Sequence, residues 1–548
     1  MTQRITTTQE VGGTETPHLH RRIGRTGLLF ASVGSIIGSG WLFGALNAAR
    51  TAGPAAIISW VLGGVIILLL GLCFAELGTM FPLAGGVVRF PHIAFGGFAS
   101  FVNGWIMWVA SMAVAPIEVE GALQYATKFF PFTRAEGGAH VLTGLGLATA
   151  VVLMAVFVYV NYIGINWFQR INNVLVWWKL GMIILVIVAF GVTAFHGSNF
   201  TATSTGFFAN GWTGVFSAIA TSGIVFSYLG FRQGIELAGE TDNPSRNVPF
   251  AVIGSVIVTM ILYILLQVVF IGAIPSNLIP KQWGDLSFTN DFGPLAAMSS
   301  IVGLVWLEVL LYIDAIVSPA DTGLIYTTVT ARVSFAMGRT GGAPKALTRT
   351  TTRGAPIVSL IVTFIIGLIL FLPFPSWQQM VGFVSSATVL SFGSGPLAIV
   401  SLRRQVPDHA RPFRLRGVWP IAFLGFFASN LIVFWTGWDT NWKLFVAVLI
   451  GFALLAIQTS SRPELRDEVR RTFRHGSWVL PWLVGLALIS WMDSMHVSSG
   501  LLYLLTLVLS AGVFWMAYAL RLAPEDVMAN IEAAREEALV EEEVFEKA

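Results

Sequence analysis

An arginine at membrane depth needs a reason to be there, and this sequence has one. Arg232 lies in the stretch Ser227-Tyr228-Leu229-Gly230-Phe231-Arg232-Gln233-Gly234-Ile235-Glu236, inside an apolar segment over about 213–239. An ionised side chain at mid-bilayer costs about 2.5–3.5 kcal/mol on insertion scales unless it faces a partner or a wet cavity. Gly230 and Gly234 bracket the charge, and glycines there loosen a helix and let backbone groups turn toward a ligand. The guanidinium is a planar fork that matches a carboxylate bidentately. The stretch is therefore read as a ligand site. The plainer alternative is a helix-internal pair with Glu236, one turn later at i,i+4.

A second unusual charge is Lys179, which follows Trp177-Trp178 in an apolar run over 172–195. A lysine held out of water readily gains and loses a proton, which would suit a coupling role. Its alternative is a lysine that snorkels to the inner interface. Asp314 and Asp321 are seven residues apart and so share one helical face. They either relay protons or counterbalance Lys179 and Arg232, and Asp314 is taken as a candidate for proton coupling. Glu118 and Glu120 come late in the third apolar segment and are expected at the outer interface.

These side chains need elements to carry them, and the composition supplies long apolar helices. The 548 residues are 55% hydrophobic and 11% charged, with 19 Trp and 41 Phe. A helix needs roughly 20 apolar residues to cross a hydrocarbon core of about 30 Å. Lipid tolerates only helices or closed barrels, and continuous apolar runs exclude alternating barrel strands. The expected class is an all-α polytopic membrane protein. Fourteen spans are expected, over about 26–50, 54–80, 93–126, 140–162, 172–195, 213–239, 248–273, 296–337, 356–374, 378–401, 417–438, 442–459, 478–495 and 499–521. Residues 1–25 form an N-terminal segment, 26–401 a core of ten spans and 402–521 four additional spans. The acidic tail, 522–548, is read as solvated in preference to a cytoplasmic helix.

Loop charges fix an orientation. With the N-terminus inside, the inner loops receive Arg4, Arg21, Arg22, Arg25, Arg89, Arg170, Arg246, Arg332, Arg339, Lys345, Arg349 and Arg353. Two further inner loops hold Arg403, Arg404, Arg411, Arg414 and Arg416, then Arg462, Arg466, Arg470, Arg471 and Arg474. The outer loops hold Arg50, Lys128, Arg134, Lys281 and Lys443. This positive-inside bias places both termini in the cytoplasm. The single cysteine, Cys73, rules out an internal disulfide and is expected to pack inside span 2.

Span 1 contains Gly34-Ser35-Ile36-Ile37-Gly38-Ser39-Gly40, three glycines and two serines within a helix that is otherwise apolar. Spans 1 and 6 are five apart, so spans 1–5 and 6–10 fit two repeats of opposite orientation. Broken helices at matching positions of two halves point to the midplane site of a transporter. For either break alone, close helix packing through small residues is the alternative. N–H groups at a half-helix start attract a carboxylate, and carbonyls at a half-helix end attract an ammonium. The donors would come from Gly38, Ser39 and Gly40. The acceptors would come from Ile36 or Ile37 and from Phe226, Ser227 or Leu229. Phe226 and Tyr228 are read as an outer gate, with aromatic packing as the alternative.

The chain resembles the amino acid–polyamine–organocation transporter family in three stretches. These are Gly34 to Gly44, Ala75-Glu76-Leu77 through Phe81-Pro82-Leu83-Ala84-Gly85-Gly86, and Phe226 to Pro249 with Asp242-Asn243-Pro244-Ser245-Arg246-Asn247-Val248-Pro249. Ser318-Pro319 and Arg332 fit as well. The resemblance covers about residues 25–400. It implies a five-plus-five inverted repeat with broken helices 1 and 6, alternating access, and amino acid or amine substrates. It also implies that Lys179 lies near the span 1 break, where proton-coupled members carry a lysine. Many members have a glutamate where this chain has Arg232. That departure predicts an acidic substrate, aspartate or glutamate, with Arg232 close to its side-chain carboxylate. The competing reading has Asp314, Asp321 or Glu236 neutralise Arg232, and the carrier then takes neutral amino acids. Protons are the expected coupling ion, with no other cofactor. Glu76 and Arg89 are expected to organise the inner surface. The last four spans are read as scaffold or as the surface of a homodimer.

Other classes fit less well. The eight His are dispersed without the spacing of a zinc enzyme. No charge ring or re-entrant filter marks a channel, no long soluble segment marks a sensor, and scattered basic residues do not make a nucleic-acid surface. A polytopic design without glycosylated or cysteine-paired loops leans toward a bacterial plasma membrane.

Overall fold

The computed structural model describes residues 23–83, 86–136, 139–163, 166–339, 343–351 and 355–546. The segment 1–25 therefore lies almost entirely outside the described residues, as do Ala84, Gly85 and Arg353. The helices follow the apolar runs. The first is split into α1 (Arg25–Ile36) and α2 (Gly40–Ala52), followed by α3 (Ala56–Met80), a short α4 (Gly86–Phe95) and α5 (Gly97–Ala126). A hairpin of β1 (Thr133–Glu136) and β2 (Ala139–Leu142) precedes α6 (Gly144–Ile163) and α7 (Asn166–Thr193). The sixth segment comprises α8 (Gly211–Thr221), a tight 3-10 stretch Phe226–Arg232 and a single turn, α9 (Gln233–Glu236). Then come α10 (Pro244–Ala273), α11 (Pro294–Ile301), α12 (Val305–Arg339), α13 (Ile357–Leu370), α14 (Trp377–Phe392) and α15 (Ser394–Gln405). The last set is α16 (Val418–Thr436), α17 (Trp438–Ser461), α18 (Pro463–Gly476), α19 (Val479–Ser494), α20 (Ser499–Ala519) and α21 (Pro524–Glu546).

Among the described residues, ten helical stretches are long and apolar enough to cross a membrane, or twelve when two bent pairs each count as one. One of the ten, Gly40–Met80, has 41 residues. Straight, it would extend roughly 60 Å, twice a hydrocarbon core. A 3-10 turn at Gly53–Ala55, with Gly53 at φ 62°, divides it into α2 and α3.

Three expectations need correction. The third apolar segment does not begin at 93, because Gly96, at φ 81°, separates α4 from α5. The eighth is interrupted near Gly303, at φ 82°, so α11 and α12 are distinct. The acidic tail is not simply solvated. It forms α21, which buries Val527, Ile531 and Ala534 and docks near α4, where Asn530 donates to the His92 carbonyl at 3.2 Å. Glu525, Asp526, Glu532 and Glu536 are exposed on its wet face, which is why composition alone reads as tail. The small hairpin is likewise an addition to an otherwise helical chain.

Charged contacts close both ends of the core. At the end where α1 begins, Glu76 on α3 is fully buried. It accepts from Arg403 at 3.0 and 2.6 Å and from the Leu415 N–H at 2.7 Å. At the far end Arg50 pairs with Asp291 at 2.5 Å, and His140 of the hairpin lies 3.6 Å from the same carboxylate. Burial pushes the Asp291 carboxyl up, but the His140 hydrogen bond and the Arg50 charge outweigh it and hold the group below the ordinary aspartate range. Cys73 is buried within α3, as expected.

Candidate functional site

The break in the first helix occupies Ile37–Ser39, inside the predicted Gly34–Gly40 stretch. The last carbonyls of α1 have no partner within the helix, and Lys179 meets one of them. Its ammonium donates to the Gly34 carbonyl at 3.1 Å and to Thr322 Oγ1 at 3.1 Å, and it pairs with Asp321 at 2.5 Å. Thr322 in turn donates to the Ile37 carbonyl at 3.2 Å. Lys179 is fully buried, so the snorkelling alternative fails. The reason is register: α7 begins at Asn166, which puts Lys179 near its middle.

Its acidic partner is Asp321 and not Asp314. The two aspartates share a face of α12 but are about 10 Å apart along it. Asp314 accepts from Trp178 Nε1 at 2.8 Å and from Ser318 at 2.7 Å. Neither aspartate forms an ion pair with Arg232, whose acidic neighbour is Glu236 at 3.5 Å.

On the other side of the break, the Ser39 N–H opens α2 and donates to Glu118 Oε2 at 2.7 Å. Glu118 does not reach an interface. It is fully buried and lies over Gly38, where an added Cβ would be 2.4 Å from Oε1. Glu120 is buried as well. Sequence reasoning missed Glu118 although the signal was present: eight residues before the end of α5 is about 12 Å from that end. Ser39 Oγ also accepts from Trp377 Nε1 at 2.8 Å.

The sixth segment bends by 48°, but not at its glycine pair. The break falls at Ser222–Val225, where Gly223 adopts φ 90°. Gly230 serves a different end. An added Cβ there would lie 2.3 Å from the Ile36 nitrogen and the Ser35 carbonyl carbon, so the 3-10 stretch presses directly on the α1 backbone. Gly40 has a similar constraint, its Cβ position being 2.3 Å from Ser227 Oγ. Gly230→Ala should cost about 3 kcal/mol or more, since backbone cannot step aside. Gly234→Ala should cost much less, because its nearest neighbour is the Ser32 hydroxyl at 2.9 Å, which can rotate. Melting temperatures and folded yields of the two variants, compared side by side, check this.

Between these elements lies a cavity lined by Ser35, Ile36, Glu118, Phe226, Arg232 and Tyr326, among others. It measures ≈ 10 Å³, about the room one water needs, so an amino acid enters only if the walls part. Arg232 is 2% exposed; it donates to Ser111 Oγ at 3.1 Å and to Met107 Sδ at 2.6 Å, and its guanidinium lies 4.9 Å from the centre of the Tyr326 ring. Phe226 lines the cavity and meets Trp377 edge-on. Tyr228 does not line it. Its hydroxyl donates to the Trp60 carbonyl at 3.1 Å and its ring packs on Trp60 and Tyr263, so the packing alternative holds for Tyr228. Ser227 donates to the Gly223 carbonyl at 2.7 Å.

Two broken helices meeting over a buried cavity are a transporter's geometry, and the profile of the amino acid permease family matches residues 23–455. The chain belongs to that family. Its relatives include a glutamate/serine transporter, AimA, of Bacillus subtilis strain 168, 38% identical over 87% of this chain and 88% of the relative. An aspartate-proton symporter of the same organism is 34% identical over 87% and 91%. A branched-chain amino acid permease, BcaP, also of that organism, is 27% identical over 82% and 95%. The chain is thus a membrane transporter of amino acids and not an enzyme. In this permease Phe226 and Arg232 are the predicted binding residues that line the cavity. Gly40 packs on Ser227 and Phe226, and Gly230 on the Ser35–Ile36 backbone. Ile37, Gly38 and Ser39 instead contact Thr322, Glu118 and Trp377, and Lys179 meets the end of α1. Thr322, Tyr326, Met107, Ser111 and Trp377 complete the surroundings. No motif marked them, since each is ordinary for a packed helix until its neighbours are known.

Proposed function

We propose that this permease carries an acidic amino acid, aspartate or glutamate, into the cell together with a proton, by alternating access. Arg232 carries this reading: a guanidinium almost sealed from solvent forms part of the cavity wall, where a side-chain carboxylate would find a planar fork. Its neighbours Met107 and Ser111 are neutral, which leaves Glu236 as the carboxylate to be exchanged for that of the substrate. The α-carboxylate would take the N–H groups that open α2 at Ser39 and Gly40. The ammonium would take carbonyls at the end of α1 and around Phe226, and Phe226 would close the site. Lys179 and Asp321 are the proposed proton-sensitive pair that holds α1 to α12, and Asp314 is placed on the same face as a second acidic group.

The same reading takes all fourteen apolar segments as spans, ten forming a five-plus-five inverted repeat over 26–401. The packing of α3 on α10 and of α5 on α12 supports it, since each pair relates elements five spans apart. The basic loops favour cytoplasmic termini in a bacterial plasma membrane. The four spans over 402–521 would serve as scaffold or dimer surface. A second reading has Arg232 held structurally by Glu236 at 3.5 Å, with neutral amino acids as substrates.

The test is uptake of labelled L-aspartate, L-glutamate and L-serine into proteoliposomes, in sodium-free buffer with an imposed inward proton gradient. Accumulation of the acidic pair that collapses with a protonophore is the expected result. Serine uptake without acidic uptake would overturn the acidic assignment in favour of the second reading.

A further inference from the structure

The donor that opens α2 is already occupied by a carboxylate of the protein itself. Ser39 N–H donates to Glu118 Oε2 at 2.7 Å, while Glu118 Oε1 meets no donor of hydrogen-bonding geometry. Glu118 is fully buried and lines the same cavity as Arg232 and Phe226. A half-helix start is a carboxylate site by virtue of its unsatisfied N–H groups and its dipole. Glu118 therefore stands where the carboxylate of an amino acid would have to bind.

Two carboxylates cannot share those donors. Like charges at van der Waals contact in a dry cavity repel strongly, and one of them must lose its charge or leave. Glu118 cannot leave far, because it is packed over Gly38 and sits about two turns inside the end of α5. We infer that Glu118 is an internal competitor for the substrate carboxylate, and that an amino acid binds only as Glu118 takes up a proton and gives up the Ser39 N–H. The step balances. One amino acid and one proton enter and Glu118 becomes a neutral acid. The charge of the site is unchanged for aspartate or glutamate, whose net charge is −1, and rises by one for the zwitterion serine.

The charged and titratable groups around it come from every neighbouring element. Lys179 on α7, Asp321 and Tyr326 on α12, Arg232 on the 3-10 stretch and Tyr263 on α10 all face this region. Lys179 and Asp321 already neutralise one another at 2.5 Å, and Arg232 is matched by Glu236. Glu118 is the acid with a donor to surrender. The role differs from the one proposed for Lys179: Glu118 links the proton to substrate affinity, whereas the Lys179 pair would govern opening at the break.

The inference rests on the cavity being the amino acid site, and the experiment separates the two. Binding of L-aspartate, L-glutamate and L-serine to the purified full-length permease is measured by calorimetry across pH, in buffers of different ionisation enthalpy. Wild-type protein should take up about one proton per amino acid bound, and affinity should fall about tenfold per pH unit where Glu118 is ionised. Glu118→Gln should still bind, with no proton uptake and a flat pH profile. A wild-type measurement guards against a variant that does not fold: infrared difference spectra should gain a protonated-carboxyl C=O stretch when the amino acid binds. Binding without proton uptake in wild type, or uptake that survives in Glu118→Gln, would overturn the inference and leave the amino acid site standing. Failure of all three amino acids to bind wild type would remove both.

Discussion

Lys179→Ala should abolish accumulation driven by a proton gradient. The ammonium satisfies three acceptors at once: the Gly34 carbonyl at the end of α1, Thr322 Oγ1 and the Asp321 carboxylate. It thereby stitches the broken first helix to α12 from α7. A neutral amine would surrender the ion pair and weaken both hydrogen bonds, so the charge of Lys179 sets how firmly α1 is held. Truncation to alanine has a second effect, because it leaves Asp321 buried and unpaired, at a cost of about 3–5 kcal/mol. The single variant would then test folding as much as coupling. The double variant Lys179→Ala with Asp321→Asn removes both charges and should recover most of that loss. It should be folded, and it should still exchange preloaded amino acid across the membrane. Accumulation against a gradient should fall to background. A double variant that concentrates substrate in response to an imposed proton gradient would remove Lys179 from the coupling machinery.

How far the sequence disclosed this site depends on the physics of each residue. Ionised groups in apolar runs are conspicuous because they are costly there, and Lys179 and Arg232 were visible for that reason. The first break was visible too, since three glycines and two serines within seven residues stand out in an apolar helix. The sixth break was misplaced by about two turns. Gly223 bends the chain, whereas Gly230 and Gly234 give closeness to α1, and a sequence does not distinguish a glycine needed for its φ from one needed for its missing Cβ. Partner choice was less legible still. Asp314 and Asp321 look equivalent by spacing, and only the rotation of α7 against α12 selects Asp321. The tail was hidden by averaging, because Val527 and Ile531 supply a narrow buried stripe in a segment dominated by Glu and Ala.

Arg232→Gln should remove uptake of acidic amino acids while leaving the permease folded. The substitution keeps a polar, hydrogen-bonding end on a side chain two bonds shorter and deletes the charge and the fork. Stability should change modestly, since the partners that remain are Ser111, Met107 and the face of Tyr326, none of them charged. Glu236 loses its cation, but it is less buried than the arginine and one turn closer to the end of the segment, where water can reach it. A desolvated bidentate pair between guanidinium and carboxylate contributes about 1.5–3 kcal/mol as a charged hydrogen bond, so affinity for aspartate or glutamate should drop by at least tenfold. Serine, which lacks the second carboxylate, should be transported about as well as by the wild type. The ratio of aspartate to serine uptake, measured in the same vesicle preparation, is therefore the sensitive quantity, because it cancels differences in protein yield. Arg232→Lys sharpens the test: it restores the charge without the planar fork and should recover only part of the aspartate uptake. If the ratio is unchanged in Arg232→Gln, the arginine belongs to the helix pair with Glu236 and the acidic assignment fails with it.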